Sequence, residues 1–131
     1  MVKKNPIEEA RRYVENAKTL LVEHGELDED EMFYNNKRIV KQTGNMLWKA
    51  VILVLDAVYH VRHDRRTRII VDDYLEAIGE QDEKLYYFVD SGCDLMYVYM
   101  GYNGTRFKSI CDDGFWTANQ IIDRCATMLA S

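Results

Sequence analysis

Apolar residues along this chain recur at spacings of three and four, and no long segment alternates cleanly between apolar and polar positions. That is the period of helices packed on one side. The densest run, Leu47 to Val61, is apolar at almost every position, with Lys49, Asp56 and His60 its strongly polar members. A segment that is apolar on nearly all sides must be covered on nearly all sides. It also falls short of the ~20 near-continuous apolar residues that a membrane-spanning helix needs. Tyr34–Val61 is therefore expected to be the central helix of a bundle, with Val40, Gly44, Leu47, Val51, Val54, Val58 and Val61 on its main seam. Gly44 in mid-helix costs about 1 kcal/mol relative to Ala, which predicts a close helix crossing there.

The other segments follow from their punctuation. Asn5-Pro6 reads as an N-cap and first helical residue, with Glu8 and Glu9 in a first turn that favours negative charge. Ile7, Ala10, Val14, Ala17 and Leu21 continue that helix to His24, where Gly25 is expected to take a left-handed closing conformation. The acidic run Glu26–Glu31 reads as a solvated loop whose charges suit the start of the central helix. A short helix is expected over Asp72–Ile78, ended by Gly79. Asp82 then caps a helix with seam Leu85, Val89, Gly92, Met96 and Tyr99. Gly101-Tyr102-Asn103-Gly104 marks a turn. The last helix begins near Ser109, with Cys111, Phe115, Ala118, Ile122, Cys125 and Leu129 on the seam. The pattern predicts an all-α, antiparallel up-and-down bundle of four long helices plus one short helix, in a single domain spanning 1–131.

Composition narrows the function more than the fold. Hydrophobic residues at 47% and charged residues at 30% exclude bulk disorder, and a single Pro disfavours a turn-rich β protein. A formal net charge of −5 argues against attraction of the whole domain to nucleic acid or an anionic membrane. Lys3 and Lys4 are followed by no apolar core, so no signal peptide is expected, and the location predicted is cytoplasmic. Cys93, Cys111 and Cys125 are odd in number and lack metal-ligand spacing, which reads as reduced, buried thiols.

Ala10, Tyr13, Asn16-Ala17 and Leu20-Leu21, followed by the apolar Ala50–Val58 run, resemble the opening helix pair of HEPN-like bundles. Asp72-Asp73-Tyr74, Asp82 with Leu85, and the Gly101–Gly104 turn are similar to a small uncharacterised bacterial family of single-domain proteins, a domain of unknown function. That second resemblance covers most of the chain and implies a fold without implying an activity. The HEPN likeness implies RNA chemistry by an Arg followed four to six residues later by His. The histidines here are His24, His60 and His63, and none has an Arg at that distance before it.

Three groups of residues invite a chemical reading. Asp56, His60 and His63 are spaced four and three apart, so a helix would put them on one face, as paired histidines stand in zinc sites. No second group of ligands accompanies them, and a titratable helix end, with Asp56 accepting from His60, accounts for the same spacing. Arg62, Arg65, Arg66 and Arg68 form the sharpest basic cluster and read as an anion-binding or interface element. Asp64, Asp72, Asp73 and Glu76 neutralise that neighbourhood, and no interleaved aromatics offer bases a stacking platform. Tyr86, Tyr87 and Tyr97 fall off the seam of their helix, where amphipathic rings either roof the core or meet a partner.

No phosphate-binding glycine loop, serine elbow or singled-out acid pair is present in the sequence. The function expected is accordingly non-enzymatic and without a cofactor: contact with other proteins, first a second copy of the chain in a homodimer. The alternative from another class is a HEPN-like component of a nucleic-acid or toxin–antitoxin system, binding RNA or a nucleotidyltransferase partner.

Overall fold

A computed structural model describes residues 5–61 and 71–130 of the chain. The first helix, α1, is Pro6–His24; α2 is Lys37–Tyr59; α3 is Val71–Ile78; α4 is Glu83–Gly92; and α5 is Lys108–Ala130. Between α4 and α5 the rod continues without a break as a π-helix, Cys93–Tyr102. Four long helical rods and one short helix thus form the expected all-α bundle, and the described residues include no β-strand.

The first helix starts as its sequence requires. Asn5 Oδ1 accepts from the backbone N–H of Ile7 at 3.0 Å, and Ala10, Val14, Ala17 and Leu21 are buried. Its end differs from expectation. Gly25 keeps a right-handed φ of −73°, and Glu26 at φ 58° makes the left-handed step. The glycine answers to space: a Cβ there would stand 2.5 Å from Leu21 O and 2.8 Å from a ring carbon of Tyr34.

The central helix is shorter than Tyr34–Val61 at both ends. Asn36 caps it, accepting from Ile39 N–H at 3.3 Å, while Tyr34 is held in the preceding connection. His60 closes it in the left-handed conformation, φ 52°, its N–H donating to Asp56 O at 2.9 Å. No acid lies in the first turn of α2 itself, and the acidic run Glu26–Glu31 precedes it as a loop. That loop instead folds on itself, with Asp28 Oδ1 accepting from the N–H of Met32 at 2.9 Å and of Phe33 at 3.2 Å. Single bridges, Leu27 with Tyr34 and Phe33 with Phe107, then tie it to the entrance of α5.

The expectation for α2 itself holds. It packs against α1, the π segment, α5 and α3, and it buries ten residues from Ile39 to Leu55. Val58 and Val61 of the expected seam are only half-buried. Gly44 marks the closest crossing, since a Cβ there would lie 2.5 Å from Met100 Cβ and 2.6 Å from both Gly101 N and Met96 O.

Two seams differ from their sequence expectation. After Gly92 the buried positions are Met96 and Met100, while Tyr99 is 44% exposed. Successive steps of four suit a turn wider than 3.6 residues, and the i→i+5 pattern, with Asn103 N–H donating to Val98 O at 2.9 Å, supplies it. In α5, Gly114, Thr117 and Ile121 join the buried set, while Phe115 is half-buried and Leu129 exposed. Gly114 is admitted because Met100 Sδ would stand 2.8 Å from any Cβ there.

The Gly44 crossing yields a stability prediction. Ala in place of Gly44 gains about 1 kcal/mol of helix propensity, but its methyl meets backbone atoms that cannot rotate away. Overpacking of this kind costs typically about 1–3 kcal/mol and sometimes more, and close backbone contact puts Gly44→Ala at the upper end. We expect a net loss of at least ~1 kcal/mol in urea unfolding. An unchanged or raised midpoint would mean that the two rods are further apart than described.

Candidate functional site

The surface separates the three tyrosines singled out in the sequence. Tyr97 packs against half-buried Trp48, ring centroids 6.3 Å apart. Tyr86 turns toward α3, where it lines an open groove of about 620 Å³ with Leu75, Glu76, Glu80 and Glu83. Among the described residues, Tyr87 alone of the three belongs to a larger aromatic assembly. Its ring lies 6.1 Å from that of Phe88, which meets Trp116 of α5 edge-on at 5.6 Å and 82°.

This row is laid down by helical spacing. Tyr87, Ser91 and Leu95 fall four apart and so share a face of the α4–π rod. Asp113, Trp116 and Thr117 face them from α5 across a depression of about 200 Å³. Tyr87 is 67% exposed and Trp116 57%, whereas Phe88 between them is packed against the core. Asp113 lines the depression and is exposed, while Asp90 and Asp94, also exposed, act on Cys93 together with Asp72 of α3. The sequence signal for Trp116 was available: it is off the α5 seam, one residue after Phe115. Only the packing of α4 on α5, however, brings it to Phe88 and Tyr87.

The underlying scaffold is locked by one charged pair. Asp82 Oδ1 caps α4, accepting from Leu85 N–H at 3.0 Å. Its two oxygens also accept from Arg124, from Nη2 at 2.7 Å and Nε at 3.1 Å, which fastens the start of α4 to α5. Burial pushes the Asp82 carboxyl up. The Arg124 and Leu85 hydrogen bonds, with the charges of Arg124 and Lys84, outweigh it and hold the group below its ordinary value.

The metal reading finds no support among the described residues. No three His, Cys, Asp or Glu side chains there stand together to hold an ion. The Asp56 carboxylate accepts from the hydroxyl of Tyr74 at 2.8 Å, joining α3 to α2. His60 sits in the left-handed cap of α2, exposed. His63 lies outside the described residues, as do Arg62, Arg65, Arg66 and Arg68. The three thiols are unpaired. Burial pushes Cys93 up to about 11 and both Cys111 and Cys125 up to about 12, assisted by nearby aspartates. Such thiols stay protonated and are poor nucleophiles.

Comparison with known proteins agrees with this picture of a fold without an assigned chemistry. A family model described as a domain of unknown function, DUF5618, matches residues 5–127. A solved structure of a protein of unknown function from Dyadobacter fermentans superposes with a TM-score of 0.83 at 27% identity, covering 95% of this chain and 97% of that one. Among curated proteins no sequence matches the chain. The likeness of the first helix pair to HEPN bundles finds no support in either match.

Two outcomes follow from this chemistry. Because the Asp82 carboxyl is depressed in the folded protein, its stabilisation is present above the unfolded value of 3.8 and is lost as pH falls through the folded one. Urea midpoints measured from about pH 7 down to pH 3 should fall less steeply for Asp82→Asn than for the parent. An identical acid limb would remove Asp82 from the titration. Thiol titration at about pH 8 should find Cys111 and Cys125 inert until the protein unfolds. Fast modification of either in the folded state contradicts the burial described.

Proposed function

The chain belongs to the DUF5618 family, and from that premise we propose that it is a non-enzymatic, cytoplasmic protein acting through protein–protein contact, as a homodimer joined at the Tyr87–Phe88–Trp116 face. The observation that carries this reading is the aromatic row itself, two exposed rings anchored on a packed one. Tyr and Trp are the residues in which interface energy concentrates, because they bury large area with few rotors to freeze.

Self-association is favoured by the shape of the patch. A two-fold interface uses one surface twice, so it needs a projection and a recess within the same patch. The exposed rings of Tyr87 and Trp116 supply the apolar surface to be covered, and the depression that they line with Ser91 and Leu95 supplies the recess. The competing face, α2, has no large apolar side chain among the exposed ones, because its four neighbours within the molecule cover it. An antiparallel pairing of two copies through α2 therefore lacks the apolar contact it would need.

Asp113 gives the dimer a distinctive salt dependence. Each copy would bring its Asp113 carboxylate to the interface, so screening by salt should strengthen association. A dimer held by opposite charges would weaken instead. Sedimentation at low and high salt separates the two. Trp116→Ala should weaken the dimer by about 2 kcal/mol, roughly thirtyfold, while leaving the fold intact because the ring is largely exposed. A monomer at all concentrations, or a dimer indifferent to both Trp116→Ala and Tyr87→Ala, overturns the proposal.

A further inference from the structure

The depression beside the aromatic row holds a chemistry that self-association does not use. Its lining combines the rings of Tyr87, Phe88 and Trp116 with Leu95 and the Asp113 carboxylate. The Phe88 ring lies 6.1 Å from that of Tyr87 and 5.6 Å from that of Trp116, inclined at 60° and 82°. Rings inclined in this way form corners. Centroids this close let one cation sit within about 6 Å of two rings at once, the reach over which an aromatic face attracts positive charge. Phe88 is packed against the core, and the Asp82–Arg124 pair fixes α4 on α5, so the corners are in place before any ligand arrives.

The polar groups of the depression select the sign and the kind of charge. No described Lys, Arg or His lines it. Asp113 makes no ion pair or hydrogen bond among the described residues, so its charge is available to a cation. Ser91 Oγ donates to Tyr87 O at 2.9 Å, which commits its proton to its own helix. A primary ammonium carries three N–H donors and a tight hydration shell, which one carboxylate among rings does not replace. A quaternary ammonium has no N–H to satisfy. Its methyl groups bury apolar surface against the rings while its charge faces them.

We propose that the depression between α4 and α5 binds a small quaternary ammonium cation, its methyl groups set against Tyr87, Phe88 and Trp116 and its charge balanced by Asp113. A volume of about 200 Å³ suits a head group with little attached to it. The same head group on a phosphatidylcholine surface brings a phosphate with it, which Asp113 repels, so a free cation is the occupant favoured. The face is also the one assigned to the second copy, and an occupied recess competes with the dimer. That consequence rests on the dimer reading, whereas binding itself does not.

Choline is the probe, titrated into the full chain while the indole N–H of Trp116 is followed by nuclear magnetic resonance. Its signal should move saturably, and that of Trp48, packed against Tyr97, should stay in place. The neutral isostere of choline, with a tert-butyl group for the trimethylammonium, should bind at least about fivefold more weakly, as should ethanolamine. Tyr87→Leu and Asp113→Asn should each weaken choline binding roughly two- to fivefold. Both positions are exposed, so the fold should be unchanged in either variant. In sedimentation, choline should shift the dimer toward monomer. Saturable binding to a chain that is monomeric at every concentration upholds this site and removes only the dimer. Absence of a saturable shift, equal binding of the neutral isostere, indifference to both substitutions, or displacement of choline by phosphatidylcholine vesicles overturns the inference.

Discussion

Everything in this fold answers to the need to cover α2. Ten of its residues are buried, and apolar burial of this extent must be met by neighbours on several sides. One helix can screen only one stripe of another, so α1, α5, the π segment and α3 each take a share. The tightest share falls to the π segment, where Gly44 lets its backbone approach Met96 and Gly101. A π-helix ten residues long is uncommon, and its wider turn is poorly favoured in isolation. It persists here because the wide turn brings Gly92, Met96 and Met100 onto one line against α2 and α5. Tertiary packing sets the local geometry.

That dependence explains which parts of the structure could be read in the sequence. The capping of α1 by Asn5, of α4 by Asp82 and the stop at Gly79 are local, so a few adjacent residues specify them. The coverage of α2 is nearly as direct, because from Ala50 to Leu55 every position is apolar and none is exposed. The left-handed step fell on Glu26 instead of Gly25 because the glycine was needed for a close approach to Tyr34, a contact nine residues away in sequence but set by the folded loop. Tyr99 left the seam because the turn widened. In both places a long-range contact overrode a sound local rule.

The site was less legible for the same reason. Tyr87 could be recognised as off-seam, but so could Tyr86 and Tyr97, and helical phase alone does not tell an isolated ring from one in a row. The row exists because α4 lies on α5, held there by Arg124 on the Asp82 cap. One ion pair thus serves the helix start, the helix packing and the aromatic face together. Tyr34 was similarly hidden, since the sequence assigned it to the central helix, whereas its place in the preceding connection is what brings it to the cleft between α1 and α5.

The distribution of polar chemistry says where function can reside. Inside, the thiols are held protonated, and the buried Tyr74 phenol is raised well above its ordinary value, first by burial and then by its bond to Asp56. Groups kept neutral in this way resist ionisation and tie helices together, which is a structural task. Catalysis would require the opposite, a group held near its transition between charge states and open to a substrate. The unspent capacity lies instead at the surface. The exposed ends of the aromatic row, Tyr87 and Trp116, can still bury area.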